Sequence, residues 1–172
     1  MENFYSLSAD FARKLWSVPS ATASIEGGNG YEQIRGRVNF YRTNDGVIVS
    51  VELVNMPYDD KKCGVNFHGF HIHDGKSCTG NEKDNFANSG MHYNPDNCNH
   101  PAHAGDLVPL VSSKGYVWQN FLINSFTIDE IIGKTVVIHK NPDDFKTQPA
   151  GDSGTKIACG EIRRGWANSS LS

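Results

Sequence analysis

Phe70-His71-Ile72-His73 constrains this chain more than any other stretch, because apolar and imidazole side chains alternate in it residue by residue. That is the period of a β-strand, which sends Phe70 and Ile72 into a core and projects His71 and His73 together from the opposite face. Two imidazoles side by side on one strand make half of a metal site. His139 ends a second apolar run, Thr135-Val136-Val137-Ile138, and can supply a further ligand. His92, His100, His103 and Asp106 share a segment punctuated by Pro95, Pro101 and Gly105, so they belong to a loop. Six of the seven histidines fall within residues 68–103, and a loop that collects three imidazoles and a carboxylate is most simply ordered by a metal ion.

Counting ligands points to two ions. His71, His73, His92 and His139 make an all-imidazole set, whereas His100, His103 and Asp106 are one ligand short of the four that zinc prefers. Sharing His92 between the two sets completes the second without another residue. Imidazole suits both copper and zinc, and an all-nitrogen set favours copper(II), so the ligand types favour copper plus zinc.

At 172 residues and 38% hydrophobic, the chain is one domain with enough length for a core. Seventeen glycines, frequent Val, Ile and Phe, and few helix-forming runs point to an all-β body. Strands are expected at 21–26, 33–42, 47–54, 67–73, 116–123, 134–140 and 156–162, joined by Gly-rich turns that include an Asn-Asp-Gly hairpin signal at 44–46. Short strands with such turns fit a sandwich or a Greek-key barrel. Residues 8–16 read as a short helix packed on that body, with Phe4, Leu7, Phe11 and Leu15 at helical spacing. Residues 163–172 read as a loose polar tail.

The formal net charge of −3, with no basic run interleaved with aromatics, argues against a nucleic-acid partner. No apolar stretch approaches the roughly 18 residues that span a membrane. Met1-Glu2-Asn3-Phe4-Tyr5-Ser6 lacks the basic start and apolar centre of a secretory signal, which places the protein in the cytoplasm unless a signal was removed. The four cysteines pull towards an extracytoplasmic site, because disulfides are rare in reducing compartments.

Five segments together resemble the copper-zinc superoxide dismutases: Gly-Phe-His-Ile-His (69–73), Gly-Met-His-Tyr-Asn-Pro (90–95), His-Ala-Gly-Asp-Leu (103–107), Gly-Lys-Thr-Val-Val-Ile-His (133–139) and Ile-Ala-Cys-Gly (157–160). They come in that family's order across about residues 21–162, and the short stretch between His139 and Cys159 is similar to the bacterial branch. The resemblance implies an all-β, eight-stranded Greek-key barrel with metal-binding and electrostatic loops outside it. Residues 1–20 would then form a short helical extension and 163–172 the tail.

The same resemblance implies copper on His71, His73, His92 and His139, and zinc on His92, His100, His103 and Asp106, with His92 as the bridge. Its activity is dismutation of superoxide to dioxygen and hydrogen peroxide, during which His92 leaves copper and carries a proton. Asp143 corresponds to a residue that accepts hydrogen bonds from one ligand of each metal, here His71 and His100. His68 corresponds to a structural residue beside the copper strand. Cys78 and Cys159 correspond to an internal disulfide. Cys63 and Cys98 have no counterpart: they pair with each other or stay free thiols, with Cys98 a minor candidate ligand. Lys156 stands where most of the family has an arginine above the copper, and it keeps the positive charge but not the planar fork. A homodimer is compatible with the resemblance. The alternatives are a copper-binding or copper-delivery protein of the same fold with little turnover, and an interaction module whose metals are purely structural.

Overall fold

The computed structural model describes residues 11–61 and 63–165. Ten strands follow one another: β1 (Ala21–Gly27), β2 (Arg35–Arg42), β3 (Val47–Val54), β4 (Phe67–His68), β5 (Phe70–His73), β6 (Leu110–Val111), β7 (Val117–Ile123), β8 (Thr135–His139), β9 (Lys156–Glu161) and β10 (Arg163–Arg164). The long strands form either where apolar residues recur at every second position, as in β1 and β3, or on short continuous apolar runs, as in β8. In β1, Ala21, Ala23 and Ile25 are buried, and in β3 so are Val47, Val49, Val51 and Leu53.

The strands make a curled antiparallel sheet in the order β5-β8-β9-β1-β2-β3-β7, with β10 paired to β1 and a separate β4-β6 pair. Counting β4 and β5 as one strand broken at Gly69, and setting aside the two-residue β10, gives the eight expected. A Cβ on Gly69 would stand 2.7 Å from Ser153 Oγ and 3.2 Å from His139 Cβ, so the close packing of the later loop requires a glycine there.

Two details differ from the sequence expectation. The tail begins as an ordered strand, since Arg163 and Arg164 pair with Thr22 and Ala21. A one-turn helix, Ile128–Ile131, was not legible because it spans only four residues, too few for periodicity to register; the Thr127 and Glu130 capping box starts it. Residues 11–15 are helical as expected, while the rest of the expected helix before residue 11 lies outside the described residues.

The core fills the inside of the curl, with Phe40, Leu53, Phe70, Ile72, Leu110, Ile138 and Ile157 among its members. Burying each such side chain contributes roughly 1.5–3 kcal/mol. Register then decides what the outer face carries. Phe70 pairs with Ile138 and Ile138 with Ala158, all in the core, so their neighbours His71, Val137 and Cys159, also paired in register, face outwards. On that outer face Val137, Phe86 and Cys159 form a small second apolar cluster, with Cys78 packed against it. A bulge between Ile138 and His139 moves the β9 partner on to Lys156, which brings Lys156 opposite His139.

The outer cluster is sealed by the Cys78–Cys159 disulfide, which spans 81 residues and ties the loop after β5 to β9. Closing a loop of that length stabilises the fold by roughly 4–5 kcal/mol on the chain-entropy account. Replacing both cysteines by serine should therefore lower the unfolding free energy by roughly 4 kcal/mol in a denaturant titration. A loss below about 1 kcal/mol would show that the loop is held by its other contacts.

Candidate metal centre

On one side, β5 pairs with β8; on the other, it is covered by the loop that follows it. The Ile72 N–H donates to the Gly105 carbonyl (2.8 Å), and the Ile72 carbonyl accepts from the Tyr93 N–H (2.8 Å). The Leu107 N–H donates to the Phe70 carbonyl (3.2 Å) and the Asp74 N–H to the Met91 carbonyl (2.9 Å). This irregular ladder sets Asp106 opposite His71 and His92 opposite His73. The exposed edge of a strand is thereby converted into the floor of a site.

Two ligand groups result, His71, His73, His92, His139 and His92, His100, His103, Asp106, the ligand atoms within each lying inside 4.8 Å of one another. All the histidines are buried, so the strand alternation appears as core on one face and imidazole on the other rather than as inside and outside. The His92 ring lies beside the five other histidines of the two groups, with centroid distances of 3.9 Å to His71, 4.9 Å to His73, 6.0 Å to His139, 5.8 Å to His100 and 5.5 Å to His103.

Most rings have one nitrogen fixed by an acceptor, and this decides which nitrogen faces inwards. His73 Nδ1 donates to the Gly90 carbonyl (2.9 Å) and His139 Nδ1 to the Gly154 carbonyl (3.1 Å). Asp143 accepts from His71 Nε2 through Oδ2 (2.8 Å) and from His100 Nε2 through Oδ1 (2.9 Å), joining the two groups through one carboxylate. The opposite nitrogens then converge: His73 Nε2 lies 3.3 Å from His139 Nε2, and His92 Nδ1 lies 2.8 Å from Asp106 Oδ1 and 3.5 Å from His103 Nδ1.

His71 Nδ1, His92 Nε2 and His100 Nδ1 are buried with no hydrogen-bond partner among the described residues. His100 Nδ1 does lie 3.0 Å from Asp106 Oδ2, but without hydrogen-bond alignment, the relation expected of two ligands aimed at a common ion. An unpaired buried polar atom costs about 1–3 kcal/mol, and coordination removes that cost, so the donor set fits two metal ions.

Protonation points the same way. Burial, reinforced by the neighbouring imidazoles, drives His73 well below the ordinary histidine value and His139 to about 3. Burial lowers His71 too, against the opposing effect of its hydrogen bond to Asp143. Burial would raise Asp143, but hydrogen bonds from His71, the Phe145 N–H and His100 outweigh it and bring the carboxyl to about 2. His71, His73 and His139 are therefore neutral near pH 7, the form that binds metal.

His68 belongs to neither group: its ring nitrogens lie 3.2 Å from the Lys140 carbonyl and 3.1 Å from the Pro57 carbonyl. Cys63 and Cys98 are exposed free thiols, so the expected alternatives resolve against a second disulfide. Lys156 sits at the lip with its ammonium 3.0 Å from Asp84 Oδ2, 3.1 Å from the Phe86 carbonyl and 3.4 Å from the Gly90 carbonyl.

Several supporting groups gave no sequence signal. Carbonyls such as those of Gly90 and Gly154 carry no side chain to read. Gln148 clasps the His100 backbone through both ends of its amide, and Asp84 looked like any loop carboxylate. Gly151 has φ of +63°, and a Cβ there would collide with Asp143 Oδ1, so the Asp143 bridge depends on it.

The family model described as copper/zinc superoxide dismutase matches residues 34–162. "Superoxide dismutase [Cu-Zn] 1" of Aquifex aeolicus is 30% identical over 143 residues, covering 74% of this chain and 79% of that protein. The "Superoxide dismutase [Cu-Zn]" of Legionella pneumophila is 32% identical over 140 residues, covering 74% and 77%. The solved structure of Cu/Zn superoxide dismutase from Brucella abortus shares the fold, with a TM-score of 0.69 at 24% identity over 82% of this chain and 98% of that one.

The depressed histidines set an acid limit on the metal-free protein. Below the ordinary imidazole value of 6.5 the unfolded chain takes up protons that folded His73 and His139 refuse, so stability falls as pH drops from 6.5 towards about 3. Asp143 acts in the same direction between 3.8 and about 2. The melting temperature of metal-free protein should decline steadily across this window; a flat profile between about pH 7 and 4 would contradict the burial argument.

Proposed function

Because the chain belongs to the copper/zinc superoxide dismutase family, we propose that His71, His73, His92 and His139 hold copper, that His92, His100, His103 and Asp106 hold zinc, and that His92 is their shared ligand. The protein is a superoxide dismutase that uses both metals, converting two superoxide anions and two protons into dioxygen and hydrogen peroxide. Copper supplies the one-electron couple, and zinc is redox-silent.

One observation carries the ligand assignment. His92 Nδ1 is turned to Asp106 and His103, while its Nε2 is buried, partnerless and on a ring stacked 3.9 Å from His71. With Nδ1 held in the second group, Nε2 is the atom at which this chain can take up and release a proton. Asp143 orients a ring in each group, and the Gly90 and Gly154 carbonyls keep His73 and His139 turned inwards. Lys156, opposite His139 in the ladder, places positive charge beside the copper group and favours approach of a small anion despite the acidic whole.

The Cys78–Cys159 bond supports work in an oxidising compartment, the extracytoplasmic alternative. Exposed Phe67 and Val111, directly opposed in the β4-β6 pair, support self-association through this apolar pair.

His92→Ala should abolish dismutation and lower retention of both metals in elemental analysis; loss of copper with zinc fully kept would refute the shared ligand. Light scattering across a dilution series should report a dimer for the native protein and a monomer for Phe67→Asp, and a native monomer at all concentrations would sink the association.

A further inference from the structure

The Lys156 ammonium has three N–H groups and three acceptors around it: Asp84 Oδ2, the Phe86 carbonyl and the Gly90 carbonyl. No N–H remains to offer an incoming anion. A guanidinium has five donors in a fork, so it could hold the same acceptors and still present an N–H; lysine cannot. Asp84 is itself held in place. Its Oδ1 accepts from the Phe86 N–H at 2.9 Å, leaving Oδ2 aimed at Lys156. The pair opens onto a cavity of about 510 Å³ also lined by Tyr31, Glu82, Lys83 and Thr155. The Gly90 carbonyl already accepts from His73 Nδ1, so the ammonium reaches the copper group through a shared oxygen as well as through its own charge.

We propose that Asp84 is a positioning residue of the dismutase site: its carboxylate clamps the Lys156 ammonium, takes the hydrogen bond an anion would otherwise receive, and sets how tightly the site holds small anions. The proposal rests on the ligand assignment above. Of the three acceptors, only Asp84 is an anion, and only it can be removed by substitution without touching the backbone. Glu82 lines the same cavity, and no bond joins it to Lys156, so it reports the plain effect of one negative charge.

The test is azide binding to the copper- and zinc-loaded protein, followed by visible absorption and independent of turnover. Asp84→Asn should tighten azide binding about three- to tenfold, whereas Glu82→Gln, with the same change in charge, should alter it less than about twofold. In a Lys156→Gln background the effect of Asp84→Asn should fall to the level of Glu82→Gln, because the clamp then has nothing to hold. Lys156→Arg with Asp84 intact should also tighten azide, which keeps the proposal open to refutation if Asp84→Asn fails to fold. Equal effects of Asp84→Asn and Glu82→Gln, persistence of the effect in the Lys156→Gln background, or no tightening in Lys156→Arg would overturn the clamp. Failure of the wild-type protein to take up copper or to dismute superoxide would overturn the functional reading instead, so the two failures are separate.

Discussion

The backbone pairing on both edges of β5 is the constraint from which the rest of the site follows. On one edge β8 fixes which residues face the core, setting Phe70 against Ile138 and His71 against Val137. On the other, a loop with no regular strand of its own still forms ladder bonds and sets His92 and Asp106 opposite His73 and His71. A slip of one residue on either edge would exchange Phe70 and Ile72 for His71 and His73 in the core. Burial of large apolar side chains therefore specifies the metal site indirectly, by making that slip too costly.

The same architecture opposes two demands. Nitrogens that are to bind metal must be free of protons and of hydrogen bonds, and burial of three such atoms leaves them with no partner among the described residues. Asp143 limits the damage. Its two oxygens fix one ring of each group, and its own charge is stabilised by those rings and by the Phe145 N–H. Metal binding and folding thus draw on a common set of contacts, while the disulfide and the core carry the protein through the strain of an arrangement built for ions.

Much of the fold was legible in the chain. β3 falls on the expected residues, and β1, β2, β7, β8 and β9 lie within two residues of expectation at each end, because apolar alternation and Gly-rich turns are local signals. β6 escaped notice because two residues hold no period, and β10 because its charged sequence pairs only through backbone bonds to β1. The candidate ligands that the structure brings together were legible because histidine is scarce and chemically marked. Asp84 and Gly151 were not, since an aspartate in a polar loop and a glycine after Pro149-Ala150 look like ordinary turn residues until their partners are known.

By itself the sequence determined which side chains could coordinate metal, that two imidazoles would leave one strand on one face, and that the body would be β. Those properties depend on residue type and on spacing along the backbone. Only the tertiary structure decided how closely His92 lies against both groups, which oxygen of Asp143 bonds which ring, and that the Lys156 ammonium is engaged by Asp84. Each of these brings together residues from segments far apart in the chain, such as the 72 positions between Asp84 and Lys156, and the distance between such groups is set by strand register and loop packing, which no local pattern encodes.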